Sequence, residues 1–321
     1  MLTALAAAPL ASTAYAQSGA ALQRVGYLTG GGLAARADYL NAFRAGMAAL
    51  GHVEGKTFLL ESRGADTRFE RLPALVQELL AFRPDVLLVS TTPAVLATKA
   101  ATSQVPIVMV GQGDPVGMGL VATLARPGGN ITGLTNISLE LAGKRLELLK
   151  EFIPTASRIA VLLNPNDPNW SLQLRHAEAA AHQIGIALGP VLHLRRHHDL
   201  EPAFAAAAQA GANAALRMVD STVSLLRTES VQAAARWRIP VMWVFPDDVR
   251  AGGLIAYGPE QADQYRQAAS FVNRILRGAR PAELPIEQPT RIVLAVNVGT
   301  ARGLGLSIPS SVLARADEVI E

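Results

Sequence analysis

The residues best suited to bind a small molecule lie in short loops that follow β-branched runs of this 321-residue chain. One such loop, 90–93, places three hydroxyl groups before a proline that suits the first turn of a helix. The free amide groups at a helix start can hold an anion, so Thr91 and Thr92 are candidates for binding a carboxylate. Ordinary N-capping by Thr92 explains the same residues equally well. Thr29 and Gly30 open a second loop, in which glycine lets the backbone approach a ligand closely.

Carboxylate and amide side chains in other loops suit the positive end of a ligand. Asp114 is a candidate partner for an ammonium group, although it would serve equally well to brace its own turn. Asp220 follows a strand in the second half of the chain and is the preferred second partner for the ammonium. Asn164 and Trp170 border an asparagine-rich loop that suits an organic zwitterion; the alternative is a plain turn followed by a tryptophan in the core.

Aromatic side chains near the strand ends are candidates for a wall on which a ligand stacks. Phe245 and Tyr257, together with Trp243, lie in or beside strands of the second half. Aromatic side chains also fill cores, so we expect at least one of the three to be buried there instead.

Residues that could catalyse a reaction or hold a metal are scarce. The chain has no cysteine, no P-loop and no G-x-S-x-G elbow, and the glycines at 30–32 do not follow the G-x-G-x-x-G spacing of a dinucleotide site. The densest basic run, 193–198, lacks aromatic residues and has acidic neighbours, which argues against a nucleic-acid groove. The positive charge of the arginines in this run would also repel a metal ion bound by its histidines. We expect no enzyme activity, no cofactor, no metal and no nucleic-acid partner.

The order of apolar and polar segments predicts the fold class. Hydrophobic residues make up 50% of the chain and charged residues 17%, which excludes a disordered protein. Short β-branched runs alternate with longer alanine-rich amphipathic segments, the pattern of βα units and parallel sheets. Eight runs form two sets of four: Arg24 aligns with Arg158 and Val105 with Ile239, an offset of 134 residues in both pairs. The sequence therefore predicts an α/β protein with two doubly wound parallel-sheet lobes joined by a hinge.

The eight predicted strands share apolar residues bounded by glycine or proline; they are 24–28, 57–61, 86–89, 107–110, 158–163, 187–193, 215–219 and 241–244. A further strand reaching Tyr257 and another at 291–296 follow the second set. Three amphipathic helices are expected to end at Gly51, Gly185 and Gly278, because glycine adopts the left-handed conformation of a helix C-terminus without steric cost.

The chain is expected to cross between the lobes more than once. We expect 22–136 plus 250–285 in the first lobe and 137–249 plus 286–321 in the second. Residues 1–17 are apolar and end with the small-x-small pattern of a signal peptidase site, which predicts a signal peptide; a helix of the fold is the alternative, because the basic leading segment is missing. Without a cysteine for a lipid anchor, the exported protein is expected in the periplasm of a Gram-negative cell.

Several segments spread over nearly all of the chain beyond residue 17 carry a family resemblance. They are RVGYL at 24–28, ALGHVEGKT at 49–57, TPA at 92–94, PIV at 106–108, GDPVGMGLVATLARPGGNITG at 113–133, KRLELLKEFIP at 144–154, AGGLIAYG at 251–258 and PSSVLARADEVIE at the C-terminus. With these segments the chain resembles the substrate-binding proteins of ABC importers, in the two-lobed family of periplasmic-binding type that includes tryptophan-type binders. The segment at 113–133 is the longest and most specific of them.

The resemblance implies a monomer whose lobes close on a small solute and present it to an ABC permease in the inner membrane. The implied ligand-facing residues are Thr29, Thr91, Thr92 and Asp114 on the first lobe and Asn164, Asp220, Phe245 and Tyr257 on the second. The loops NPNDPNW and DST depart from the tryptophan-type pattern, so the expected solute is an amino acid, an aromatic acid or another carboxylate. The alternatives are a sensing domain for a membrane signalling partner and an enzyme on the same scaffold.

Overall fold

Five parallel strands form the sheet of the first lobe. The computed structural model describes residues 22–137, 139–167, 169–220 and 224–321, so the signal peptide expected at 1–17 lies outside the described residues. The strands are β1 (Gln23–Thr29), β2 (Phe58–Gly64), β3 (Val86–Ser90), β4 (Ile107–Gln112) and β5 (Ile131–Thr135). They lie side by side in the order β2-β1-β3-β4-β5. The carboxyl ends of all five therefore meet at one edge of the sheet.

Helices cover both faces of the two sheets. They are α1 (Ala37–Ala49), α2 (Leu72–Ala81), α3 (Thr92–Ala101), α4 (Ala142–Phe152), α5 (Trp170–Gln183), α6 (Leu200–Gln209), α7 (Arg227–Arg236), α8 (Pro246–Arg250), α9 (Gln261–Leu276), α10 (Val298–Leu304) and α11 (Ser310–Leu313). Within the described ranges, no helix combines the length and the apolar character that crossing a lipid bilayer requires. The predicted helix ends are confirmed, since Gly51, Gly185 and Gly278 have φ values of 87°, 68° and 97°.

Alternation along the strands explains why the first sheet is covered on both sides. Successive side chains of a strand point to opposite faces. Val86 and Leu88 of β3 pack in a core with α1 and α9, whereas Leu87 and Val89 pack in a second core with α2 and α3. A strand that is apolar at every position therefore suits the middle of this sheet.

The second sheet repeats the strand order of the first and extends it. Its strands are β6 (Arg158–Leu163), β7 (Ala187–His193), β8 (Ala214–Arg217), β9 (Val241–Trp243), β10 (Ile255–Pro259), β11 (Ile292–Asn297) and β12 (Glu318–Ile320), in the order β12-β11-β10-β9-β8-β6-β7. The part β7-β6-β8-β9-β10 corresponds to β2-β1-β3-β4-β5 of the first lobe. The two additional strands follow β10, which pairs with β11 in the antiparallel direction. The prediction of two doubly wound α/β lobes is confirmed.

The strand that ends near Tyr257 lies in the second lobe, although the sequence placed 250–285 in the first. β10 pairs with β9 in parallel and with β11 in antiparallel orientation, so 255–259 belong to the second sheet. The chain then returns to the first lobe with α9, which packs against α1. Glu287 still bonds to the backbone of β5 before the chain crosses again to β11. A strand pattern alone does not reveal which of two sheets will accept the strand.

All eight strands predicted as two sets of four are present, and their bounds differ from the predicted ones by at most three residues. β5 and β12 were not predicted from the sequence. Gly133 interrupts the short β5, in a region rich in turn residues, and β12 has only three residues at an edge of the second sheet. Neither strand has the long β-branched pattern that identifies a strand from sequence.

Gly258 in β10 lies close to the backbone of Val244, directly after β9. A Cβ atom at Gly258 would overlap the backbone carbonyl oxygen of Val244, whereas one at Gly129 would meet nothing within 4 Å. We expect Gly258→Ala to lower the free energy of unfolding by about 1–3 kcal/mol, because backbone must move to make room. Gly129→Ala should change it by less than about 0.5 kcal/mol. Urea unfolding of both variants measures the difference, and equal stabilities would contradict the tight β9–β10 packing.

Candidate ligand-binding cleft

Two adjoining cavities lie between the lobes, at the carboxyl ends of the strands of both sheets. They share the lining residues Thr91, Gly111, Asn136, Val219 and Asp220, so they form one cleft with two chambers. Counted out to their open mouths, the chambers hold about 420 and 450 Å³. Open parallel sheets place ligands at this edge.

The first chamber, here called the acidic chamber, is lined by three carboxylates: Asp114, Asp167 and Asp220. Asp220 is only 3% exposed and accepts a hydrogen bond of 3.1 Å from Nδ2 of Asn164. Asp167 accepts one of 2.8 Å from the backbone amide of Asn169. Asp114 accepts one of 2.8 Å from the amide of Gly117, so it braces its own turn and also lines the chamber. This concentration of carboxylates favours a cationic group of a ligand.

Burial makes Asp167 easier to protonate than an exposed aspartate. Burial raises the pKa of Asp167 to about 7; the amide of Asn169 acts in the opposite direction, and the negative charge of Asp220 raises this pKa further. A cation placed in the acidic chamber would lower it again, because opposite charge favours the ionised form. No group of three or more histidine and carboxylate side chains in the described ranges is arranged to hold a metal ion.

The second chamber, here called the arginine chamber, is lined by one cationic side chain, Arg36, by Asp220, which it shares with the acidic chamber, and by hydroxyl, aromatic and amide groups. Phe245 and Tyr265 form part of its wall, and both are buried. Arg36 closes a single 3-10 turn, Ala34–Arg36, directly before α1. A ligand-binding role of Arg36 was not predicted from the sequence. An arginine in a polar segment before a helix has the pattern of an ordinary surface residue.

The start of α3 brings two of the predicted residues to the cleft. Thr91 lies before the helix with φ 78° and ψ 136°, a conformation that is strained for a threonine. Thr92 is the first helical residue, its hydroxyl donates to Oε1 of Gln112 at 3.1 Å, and no side chain caps the helix. The alternative of N-capping by Thr92 is therefore wrong. Both threonines line the acidic chamber.

Two other predicted residues of the first lobe lie directly behind Thr91. The backbone amide of Gly30 donates to Oγ1 of Thr91 at 3.0 Å, and the hydroxyl of Thr29 accepts from the amide of Gly31 at 3.2 Å. Thr29 is completely buried. Neither residue lines a chamber, so they position Thr91 instead of facing the cleft.

In the second lobe the structure brings Asp220 and Phe245 to the cleft and leaves three predicted residues outside it. Asn164 is buried beside Asp220 and orients its carboxylate. Trp170 and Tyr257 are half-buried against the hydrophobic core of the second lobe and line neither chamber. The alternative of a turn followed by a core tryptophan therefore describes Trp170.

Contacts across the mouth of the cleft hold the two lobes together. The hydroxyl of Tyr39, on α1, lies 2.8 Å from Oδ2 of Asp247 on α8 and accepts a hydrogen bond of 3.0 Å from Arg227 on α7. Arg227 also pairs with Asp248 at 3.0 Å, and Asp248 pairs with Arg217 at 2.7 Å where both side chains are fully buried. The contact made by Tyr39 is thereby anchored in the second lobe, and hydrogen bonds join the two lobes.

The pKa of Asp167 predicts a pH dependence of stability. The carboxyl group ionises near pH 4 in the unfolded chain and near pH 7 in the folded one, so the folded state holds the extra proton between these values. We expect the free energy of unfolding of the ligand-free protein to fall by about 2–4 kcal/mol, through this group, as the pH rises from about 4 to above 7. Asp167→Asn should remove this part of the slope, because asparagine does not ionise.

Urea unfolding between about pH 4.5 and 7.5 measures this slope in the wild type and in Asp167→Asn. Glu70→Gln is the matched control, since Glu70 is exposed and lines neither chamber. Its curve should run parallel to that of the wild type. An Asp167→Asn curve that is also parallel to the wild type would show that the buried carboxyl does not hold the proton.

Comparison with known proteins gives the family. The family model described as ABC transporter substrate binding protein matches residues 34–320. A conserved domain protein from Vibrio cholerae is 28% identical, with a TM-score of 0.87 over 92% of this chain and 99% of the other. The structure of an ABC domain from Streptococcus pneumoniae in complex with L-Trp is 23% identical, with a TM-score of 0.83 over 92% of this chain and 100% of the other.

A curated relative extends the comparison over part of the chain. A tyrosine-binding protein of Clostridioides difficile (strain R20291) is 30% identical over 125 residues, which are 39% of this chain and 35% of that protein. The match thus spans about a third of the relative's length. Substrate-binding proteins of ABC transporters bind small-molecule solutes outside the cytoplasm and work with a permease. The expected resemblance is confirmed, and the chain belongs to the family of ABC transporter substrate-binding proteins.

Proposed function

We propose that this protein captures a small carboxylate-bearing solute, an amino acid or an aromatic acid, between its two lobes and delivers it to an ABC permease for import. The observation that carries the proposal is the charged cleft, enclosed by residues of both lobes at the ends of both sheets. The printed names of two relatives, a tyrosine-binding protein and a complex with L-Trp, support an amino acid as the solute.

The chemistry of the cleft supports a zwitterionic solute. Asp220 lines both chambers, so an ammonium group in either chamber would lie near its carboxylate. The uncapped start of α3, next to Thr91 and Thr92, offers amide donors to an anion. Phe245 gives the arginine chamber an apolar surface on which the rest of an aromatic solute can pack.

Closure is proposed to be a hinge motion driven by the solute. Each lobe supplies part of the polar lining, so a solute in the cleft gains contacts from the second lobe only when the lobes approach each other. The bonds of Tyr39 to Asp247 and Arg227 join the lobes in this closed form. Closed lobes would then be the shape that the permease recognises.

The proposal includes a place for the protein and its partner. We propose a monomer, exported by the signal peptide expected at 1–17, that works in the periplasm. An enzyme on this scaffold would convert its solute, whereas a carrier returns the solute unchanged. Native mass spectrometry of the purified protein, before and after incubation with amino acids and aromatic acids, should show one solute of unaltered mass per chain. A new product would contradict the carrier function.

The role of Asp220 gives a quantitative test. We expect Asp220→Asn to weaken the binding of the cognate amino acid about 10- to 100-fold, because a charge-assisted bond to the ammonium is lost while the oxygen that accepts from Asn164 is kept. Asp263→Asn, a change on the exposed side of α9, is the control and should bind normally. Calorimetry with L-tyrosine, L-tryptophan and the other amino acids measures both. Unchanged affinity in Asp220→Asn would remove this carboxylate from the site.

A further inference from the structure

Arg36 is a buried cation whose guanidinium forms no ion pair with a described residue. The residue is only 5% exposed and lines the arginine chamber, which it shares with Asp220. Its Nε is fully buried, and within the described ranges it has no hydrogen-bond partner. Arginine has five N–H donors and stays charged at every physiological pH. A buried guanidinium in this condition costs free energy that an anion would recover.

The surroundings of Arg36 hold it in one place without neutralising it. Its guanidinium lies over the ring of Tyr39, 5.4 Å from the ring centre. Tyr39 in turn stacks on Tyr265, with ring centres 5.2 Å apart and an interplanar angle of 21°. The hydroxyl of Tyr265 lies 3.0 Å from that of Tyr27, which lies 3.0 Å from Oγ of Ser90. Because the ring of Tyr39 occupies one face of the guanidinium, the N–H edge is the part that remains for a ligand.

The two tyrosines do not act as counter-ions. Burial raises the pKa of Tyr39 and of Tyr265 above that of a free tyrosine, so both hydroxyls keep their protons near neutral pH. They contribute aromatic surface and polarity but no negative charge. Asp220 is thus the one carboxylate among the described lining residues of the arginine chamber, and an anionic group of a solute could add a direct partner for Arg36.

The two chambers differ in their charged side chains. The acidic chamber presents Asp114, Asp167 and Asp220, whereas the adjoining chamber presents Arg36 and shares only Asp220 of these carboxylates. A molecule that spans both chambers has several carboxylates near one of its ends and the guanidinium of Arg36 near the other. The chemical class that fits is an α-amino acid or a similar short zwitterion, in a single orientation.

We propose that Arg36 binds the carboxylate of the solute through its N–H edge, and that the ammonium group points towards the carboxylates of the acidic chamber. This inference rests on the proposed function and adds to it a specificity-determining residue and the direction in which the solute lies. It also assigns the main anion contact to Arg36, with the start of α3 beside Thr91 as a secondary one. Planar bidentate pairing of guanidinium and carboxylate is the geometry that makes arginine selective for this group.

The test compares Arg36→Met and Arg36→Lys with the wild type, and Arg68→Met serves as control, because Arg68 is exposed and lines neither chamber. The probes are L-tyrosine and L-tryptophan, the amines tyramine and tryptamine, which lack the carboxylate, and the corresponding arylpropionates, which lack the ammonium. Affinities are measured by calorimetry and thermal unfolding. The wild type and Arg68→Met should bind the amino acid about 100-fold more tightly than the amine. Arg36→Met should bind both equally, and Arg36→Lys should recover part of the difference.

Thermal unfolding of the ligand-free variants separates binding from a structural role. Because the unpaired charge destabilises the closed cleft, ligand-free Arg36→Met should melt at the same temperature as the wild type or a few degrees higher. A clear drop in melting temperature, with weaker binding of the amine as well, would show a structural role and overturn the proposal. So would an Arg36→Met protein that still prefers the amino acid to the amine.

The same measurements distinguish this inference from the proposed function. If the wild type binds amino acids or arylpropionates and Arg36→Met binds them equally well, the carrier function stands and the role of Arg36 is overturned. If the wild type binds no carboxylate of the panel, the proposed solute class is wrong, and the role of Arg36 falls with it. Loss of arylpropionate binding in Arg36→Met, with amine binding unchanged, supports the assignment even if the cognate solute lacks an ammonium group.

Discussion

Burial of charge in the cleft between the lobes is the constraint on which the rest of the structure depends. Asp220 and Arg36 are both almost completely withdrawn from solvent, yet they lie at the open ends of sheets and not in a hydrophobic core. Ionised groups lose much of their hydration in such a place, and neighbouring dipoles such as that of Asn164 compensate for part of this loss. Under the proposed function, a charged solute would contribute further compensation.

The repeated topology explains how two such linings come to face each other. Each lobe uses the same order of five strands, so each presents an equivalent row of strand ends. Residues that follow β3, β4 and β5 line the cleft from one side, and residues that follow β6, β8 and β9 line it from the other. The connections that precede α9 and β11 tie the lobes at more than one point. In the proposed closure these connections would act as the hinge between the lobes.

Tyr39 connects the cleft to the contact between the lobes. One face of its ring lies near the guanidinium of Arg36, and its hydroxyl lies against Asp247 and Arg227 of the other lobe. Arg227 is fixed by Asp248, which is itself fully buried and paired with Arg217. The side chain that supports the proposed anion contact thus also carries part of the closed interface. A solute that orders Arg36 would favour the closed form through the same residue.

How much the sequence reveals depends on whether a feature is local. The glycines at 51, 185 and 278 marked helix ends correctly, because the left-handed conformation is a local requirement. Thr91, Thr92, Asp114, Asp220 and Phe245 were recognised as strand-end residues, and the structure brings all five to the cleft. The directions of Trp170 and Tyr257 depend on packing against distant helices, and the sheet that accepts β10 depends on pairing partners. Arg36 was missed for the same reason, since its position beside Tyr39 and at the cleft is set by tertiary packing. The most direct measurement is a crystal structure of the protein grown with L-tyrosine, L-tryptophan or the molecule that copurifies with it. One solute molecule enclosed between the lobes and touching residues of both is the expected result, whereas a solute bound at the surface of one lobe, with the cleft left to water, would contradict a function based on closure.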